Sequence, residues 1–257
     1  MYDHNKLVSK KAWGTLLKVL PTLRQKKLGR KRCHKEAVLN GIVQVLVNGV
    51  AWGKIADCAC SYVSCFRYFK ELQRRGTLKL IYQKLAREKT DVTNGAIDTT
   101  LVRSFEFKRG TGWNGQHKET GTKVSLFADQ DGLPADVGFG KGNINDKVFL
   151  LDHIKNTAGK LKKTLNLDMS YMSLSFRRAM RQKGIRVNMK VRAQDFTRKR
   201  GPKFTFDDQK YKVRMFVERT NAWLKGFRRL RLRREYHYSM FKAFVFLALL
   251  IILIRYS

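Results

Sequence analysis

Through the first 90 positions apolar residues recur at helical spacing, and from about Thr90 the pattern changes to alternation. KKAWGTLLKVL places Trp13, Leu16, Leu17 and Leu20 on one face of a helix that Pro21 ends. A basic, Gly-containing link, LGRKRCHKE, leads into EAVLNGIVQVLVNG, where Val38, Leu39, Ile42, Val45 and Leu46 mark a second helical face. After Asn48-Gly49-Val50-Ala51-Trp52 and GKIADCA, Ser61 is a natural N-cap for a third helix, SYVSCFRYFKELQRRG. Two short helices across a Gly-containing turn match the helix-turn-helix pattern. In that pattern Ser61, Tyr62, Ser64 and Arg67 project from the start of a recognition helix, where such helices meet base edges.

The β-rich half begins with VTNGAIDTTLVRSFEF. GTKVSLFADQDGLPADVGFGKGN reads as a hairpin turning at Asp131-Gly132, and NDKVFLLDHIKNTAG as a helix. KTLNLDMS is a strand ending on Asp168, SLSFRRAMRQKG a helix ending at Gly184, and IRVNMKVRA another strand. A loop rich in Arg, Lys, Gly and Pro (195–210) follows. The order β-β-β-α-β-α-β-α is that of a ribonuclease-H-like sheet, whose first and fourth strands are adjacent and parallel. Asp98 and Asp168, on those two strands, are therefore expected to converge.

Tyr211–Lys225 reads as one helix with two opposed faces. At about 100° per residue, Tyr211, Arg214, Glu218 and Lys225 fall within an arc of roughly 60°. Val213, Phe216, Val217, Leu224 and Phe227 fall opposite. An ordinary amphipathic helix with a Glu218–Arg214 pair would look the same. The two aspartates upstream change the picture, because Glu218 supplies a third carboxylate. Three such groups close together repel, and a divalent cation relieves that.

The C-terminal FKAFVFLALLIILIRYS has an uncharged run only from Ala243 to Ile254, shorter than the roughly 20 apolar residues of a spanning helix. It reads as a buried core helix, with no membrane role. The hydrophobic fraction of 43% and the 16 Phe argue for a real core, and 257 residues suffice for one large or two smaller domains. The net charge of +34 exceeds what solubility needs and points to a polyanionic partner, above all nucleic acid. Cys33, Cys58, Cys60 and Cys65, with no signal peptide, suggest a reducing, intracellular setting. Their C-x-C-x4-C spacing beside Cys33-His34 is not a recognised zinc pattern, so they read as small buried side chains.

Over nearly its whole length the chain resembles the DDE transposases of bacterial insertion sequences, of the insertion-sequence-five type. The motifs are IDTT with Asp98, the GTKVSLFADQDGLPADVGFGKGNINDKVFL segment, LNLDMSY with Asp168, and a Y-(2)-R-(3)-E-(6)-K signature. Tyr211, Arg214, Glu218 and Lys225 fit that signature at every position. Trp13, Leu16-Leu17, Leu20-Pro21, Gly29-Arg30, Asn48-Gly49 and Trp52 resemble the family's helical DNA-binding region. The chain departs from the family at Met169-Ser170 after the second Asp, at Asn145 before Asp146, and at Val124-Ser125, where an aliphatic-His pair is usual.

The resemblance implies an α+β protein with two regions. Residues 1–90 would form a helical, helix-turn-helix-like domain that holds terminal inverted repeats. Residues 91–257 would form a ribonuclease-H-like catalytic domain, a mixed five-stranded sheet flanked by helices. Asp98, Asp168 and Glu218 would hold two Mg²⁺, with Mn²⁺ able to substitute, for cleavage and strand transfer. Tyr211, Arg214, Lys225 and Arg67 would contact DNA. The expected partners are double-stranded DNA and further copies of the chain, in the cytoplasm at the nucleoid. A non-catalytic, sequence-specific DNA-binding protein is the alternative, which the intact acidic residues disfavour.

Overall fold

The computed structural model of the chain describes residues 8–22, 31–56, 58–104, 106, 108–157, 164–171, 173–190 and 205–256. The start of the basic link (residues 28–30) and most of the basic loop (195–204) lie outside them. The expected N-terminal helices form as α1 (Lys10–Val19), α2 (Lys35–Asn48) and α3 (Tyr62–Arg74), followed by α4 (Thr77–Lys89). Gly49 ends α2 in the left-handed conformation, at φ 70°, where a Cβ would also press on the Arg228 backbone. The Ser61 hydroxyl caps α3 by accepting from the Ser64 amide.

The sheet comprises β1 (Asn94–Arg103), β2 (Gly112–Asn114), β3 (Glu119–Ala128), β4 (Pro134–Lys141), β5 (Thr164–Asn166) and β6 (Arg186–Asn188). β2 and β4 pair with one edge of β3, β1 with its other edge, and β5 and β6 continue outward from β1. The first pairings are antiparallel, while β1–β5 and β5–β6 are parallel. The five expected strands are thus joined by a sixth. β2 is only three residues long and flanked by glycines, too short to leave an alternating pattern.

Parallel register is set by a buried amide ladder. Asn166 Nδ2 donates to Asn94 Oδ1 (2.8 Å) and to the Gly95 carbonyl (3.0 Å), and Asn188 Nδ2 donates to Asn166 Oδ1 (2.8 Å). Asn188 also clasps the Asp207 backbone, accepting from its amide at 2.9 Å and donating to its carbonyl at 2.8 Å. Asp207 in turn caps α7 (Asp208–Tyr211), which runs into α8 (Val213–Gly226). The single helix expected from Tyr211 onward is therefore interrupted at Lys212. One ladder, with Asn166 and Asn188 fully buried, fixes β1 against β5 and anchors the entry to α8.

Helices cover both faces of the sheet. On one, α5 (Lys147–Asn156) and α6 (Leu174–Gln182) pack Leu150, Ile154 and Met180 against Ile97, Phe127 and Leu165. α5 is also held by His153, whose Nδ1 lies 2.8 Å from Asp136 Oδ2 and whose Nε2 lies 3.0 Å from Ser125 Oγ. A carboxylate only accepts, so in the neutral ring Nδ1 carries the proton and Nε2 accepts from the hydroxyl. Ser125 is fully buried, so this Ser-His-Asp arrangement holds β3, β4 and α5 together and offers no nucleophile to a substrate.

The other face receives α8 and α10 (Tyr238–Tyr256), with α9 (Arg228–Arg231) between them. α10 is buried from Met240 through Ile254 apart from Lys242. By length and composition it is apolar enough to cross a membrane, yet α1, α3, α4, α8 and β4 all pack against it. Phe244 stacks 4.2 Å from Phe69 of α3, with Trp52 6.0 Å away. One core therefore runs from the N-terminal helices through α10 to the sheet. At about 1.5–3 kcal/mol per large side chain buried, α10 is a principal source of cohesion between them.

Candidate active site

α8 reaches its place because its apolar side, Val213, Val217 and Leu224, is buried against the sheet. Its middle is pinned to the β3–β4 turn, where Thr220 Oγ1 donates to the Gly132 carbonyl and Arg219 to the Asp131 carbonyl. Gly132 sits at φ 88° with Phe216 against it, so a side chain there would be both strained and crowded. The opposite face of α8, with Glu218, is turned toward the middle of β1 and the end of β5.

Asp98 lies on β1 on the side that faces α8. Asp168 lies two residues beyond β5, in the turn leading to a short 3-10 segment at Met169–Tyr171. Arg214 joins the acidic residues: Nη1 donates to Asp168 Oδ1 (2.7 Å) and Nη2 to Glu218 Oε1 (3.0 Å). Nη1 also donates to the Tyr211 hydroxyl at 3.1 Å. Asp98 enters through Asn221, whose Nδ2 donates to Asp98 Oδ2 at 2.7 Å. Asp98, Asp168, Tyr211, Arg214 and Glu218 are thus assembled in one place.

The remaining expected contacts stand elsewhere. Lys225 is exposed two turns beyond Glu218, about 10 Å along the helix axis. Arg67 is exposed on α3, among the N-terminal helices. Asn221 escaped the sequence reading although its signal was present. By helical count it lies within about 20° of Arg214, on the same face of α8. Ser170, whose amide donates to Asp168 Oδ2 at 3.2 Å, carries no such signal.

The two aspartates differ electrostatically. Burial raises the pKa of Asp98 above the ordinary range, against the opposing pull of Arg214, Asn221 and the Thr99 amide. Asp168 is held below that range: burial works against it, but hydrogen bonds from Ser170 and Arg214 prevail. Burial likewise disfavours the Arg214 cation, yet Tyr211 and Asp168 hold it more firmly protonated than a free guanidinium. Arg214 is the positive charge that lets Asp168 and Glu218 stand side by side.

By type the donors suit a hard cation, although the three carboxylates are not drawn in around a single point and two of them are bonded to Arg214. Asp98, Asp168 and Glu218 offer only carboxylate oxygens, and the buried Asn221 Oδ1 beside them has no hydrogen-bond partner. A cation there would favour the ionised Asp98 that burial disfavours.

Sheet order and strand directions define a ribonuclease-H-like fold. The family comparison agrees: residues 93–253 match the transposase DDE domain. The chain belongs to that family and is a DNA transposase. Residues 8–82 match a family of IS4/5 transposases. No curated protein matches the chain in sequence. Among solved structures it is similar to the piggyBac transposase in a synaptic complex with hairpin DNA, at 10% identity and TM-score 0.51, over 96% of this chain and 71% of that one. The Mos1 mariner transposase in a paired-end complex with Mn is a weaker likeness, at 12% identity and TM-score 0.29, over 85% and 82% of the two chains. The piggyBac likeness supports the fold and nothing finer.

Proposed function

We propose that this transposase binds the terminal inverted repeats of its own insertion sequence and cleaves and transfers their strands with Asp98, Asp168 and Glu218 as its acidic triad. The observation that carries this reading is the single guanidinium of Arg214 shared by Asp168 and Glu218, with Asp98 tied to the same helix through Asn221. Asp98, Asp168 and Glu218 would hold Mg²⁺. When bound, it supplies Lewis-acid activation of the attacking oxygen and charge neutralisation at the scissile phosphodiester.

In the first step water attacks a phosphodiester at the element end, freeing a 3′-OH and leaving a 5′-phosphate. In the second that 3′-OH attacks a target phosphodiester, forming the new P–O bond and releasing a target 3′-OH. Arg214 orients the Asp168 and Glu218 carboxylates, and Tyr211 fixes the Arg214 fork by accepting one of its N–H groups. Asn221 ties Asp98 of β1 to α8, and its amide oxygen is left without a partner beside it. Lys225 meets DNA phosphates further along α8, and Arg67 on α3 meets the inverted repeat. In this division of roles residues 1–90 recognise the ends and residues 91–257 perform the chemistry. Copies of the chain pair two element ends, in the cytoplasm at the nucleoid.

The test is an oligonucleotide carrying the element end, incubated with the protein and Mg²⁺, Ca²⁺ or EDTA. Asp98→Asn, Asp168→Asn and Glu218→Gln each remove a charge at nearly constant size. Each is expected to abolish Mg²⁺-dependent cleavage with end-binding retained. Wild-type cleavage by any one of them removes that residue from the triad.

A further inference from the structure

The N-terminal helices carry a second cluster of chemically active side chains, far from the carboxylates in sequence and built of sulfur. Cys58, Cys60 and Cys65 converge: Cys58 and Cys60 Sγ lie 3.4 Å apart, Cys60 and Cys65 3.3 Å, and Cys58 and Cys65 3.9 Å. Cys65 is fully buried in the first turns of α3, while Cys58 and Cys60 are half-buried in the segment before it. The small buried side chains expected from spacing are therefore a compact sulfur triangle, open on one side.

We propose that Cys58, Cys60 and Cys65 form a zinc(II) site that staples the start of α3 to the segment before it. A zinc–sulfur bond is about 2.3 Å, so two thiolates on one tetrahedral ion stand about 3.8 Å apart. The three observed separations bracket that spacing. A disulfide would join two sulfurs and strand the third, whereas a metal uses all three. Binding exchanges three S–H protons for three S–Zn bonds, with no change of oxidation state. Cys33 is a further thiol within electrostatic range of Cys65.

The backbone around the triangle is shaped for it. Gly41 lies in the interior of α2, where glycine costs about 1 kcal/mol relative to alanine. A Cβ at Gly41 would stand 2.6 Å from Cys65 Sγ and 3.1 Å from Cys58 Sγ, so its absence makes the room the sulfurs occupy. In the metal-free protein Cys58 Sγ donates to the Ala37 carbonyl of α2 at 3.2 Å, a bond that is given up when the thiol loses its proton to bind the ion. Just upstream, buried Gln44 clamps Ala56 through both backbone groups, at 2.7 and 3.2 Å. The segment carrying Cys58 and Cys60 is thereby held against α2 before any ion arrives.

The consequence for DNA rests on the proposed role of α3. Ser61, Tyr62 and Arg67 follow the cysteines directly, so an ion there would fix the element that meets the inverted repeat. The metal site itself can be tested without DNA. Full-length protein is stripped of metal under anaerobic reducing conditions and titrated with Co(II), which reports on zinc sites by its colour. One equivalent per chain should give intense thiolate-to-cobalt charge transfer and tetrahedral d–d bands, both bleached by Zn(II). Co(II) bound by Asp98, Asp168 and Glu218 has oxygen ligands and no such charge transfer. The two sites are therefore read separately, and failure of the acidic-triad assignment would leave this result standing.

Cys60→Ser and Cys65→Ser should lose the charge-transfer band, with the metal-free thermal midpoint equal to that of metal-free wild type. Gly41→Ala retains every thiol yet should weaken uptake by roughly 10- to 100-fold. Absence of the band at saturating Co(II), or its persistence in both serine variants, overturns the proposal. So does a Cys–Cys disulfide that forms in place of metal uptake.

Discussion

Arg214 Nη1 lies 2.7 Å from Asp168 Oδ1, joining α8 to a residue 46 positions earlier in the chain. The same guanidinium reaches Glu218, so its removal disturbs two members of the proposed triad together. An exposed ion pair is worth about 0–1 kcal/mol, whereas a charge-assisted contact in a partly desolvated cleft is worth roughly 2–4 kcal/mol of transition-state stabilisation. Arg214→Ala is expected to slow single-turnover cleavage by about 30- to 1000-fold at saturating DNA. Arg214→Lys should recover little, because an ammonium cannot bridge both carboxylates as a fork. Arg219→Ala, which loses a contact to the β3–β4 turn instead, is the control. Equal rates for Arg214→Ala and Arg219→Ala would reduce Arg214 to a surface partner of Glu218.

Asn221 gives a second, milder prediction. Asn221→Leu removes the donor to Asp98 while keeping the helix and much of the volume. A hydrogen bond to a charged group contributes about 1.5–3 kcal/mol, so cleavage should fall roughly 10- to 150-fold. The rate is compared with the affinity for end DNA, which is expected to stay unchanged. A loss shared equally by binding would mean that Asn221 acts on the fold and not on Asp98.

The amide ladder should couple stability to chemistry at a distance. Asn188→Ala breaks the link to Asn166 and releases Asp207, which caps the helix leading to Tyr211 and Arg214. Leaving buried partners unsatisfied costs about 1–3 kcal/mol each, so chemical denaturation should show a clear loss of stability. Cleavage should also slow under conditions where the variant is still fully folded. An unaltered rate there would show that register is secured without the ladder.

Phe244 tests how the two ends of the chain cohere. It packs on Phe69 and Trp52 in the core beneath α3, so Phe244→Ala should cost about 3–5 kcal/mol. A fragment ending near residue 90 lacks α10 and exposes the faces that helix covers. Such a fragment is expected to be unfolded by circular dichroism unless α10 is supplied. A cooperatively folded fragment would show that the N-terminal helices form a self-sufficient core.

The last prediction concerns pH. Burial raises the carboxyl of Asp129 from 3.8 to about 6, although the Leu133, Asp131 and Asp91 amides pull it the other way. The folded state therefore binds the extra proton more readily, and this contribution to stability is full below pH 3.8 and lost as pH rises through 6. Relative to Asp129→Asn, which does not titrate, wild-type stability should fall by up to about 3 kcal/mol between pH 4 and pH 7. A pH-independent difference between the two proteins would rule out a raised Asp129.

Periodicity alone located the N-terminal helices, the long hairpin and the face of α8 that carries Arg214 and Glu218. Those features depend on residues within a turn or a strand of one another, and side-chain direction repeats with the backbone. The approach of Asp168 to Arg214 is different. It depends on the pairing of β1 with β5 and on the anchoring of Asp207, both decided by the Asn94–Asn166–Asn188 ladder. The short strand β2 owes its existence to pairing with β3, and the break at Lys212 follows the separate capping of α7 by Asp207. Cys58, Cys60 and Cys65 have no recognisable metal spacing, yet the room left by Gly41 and the clamp of Gln44 bring their sulfurs together. Local chemistry was written in the order of residues; the meeting of distant side chains was decided by packing, which has no period along the chain.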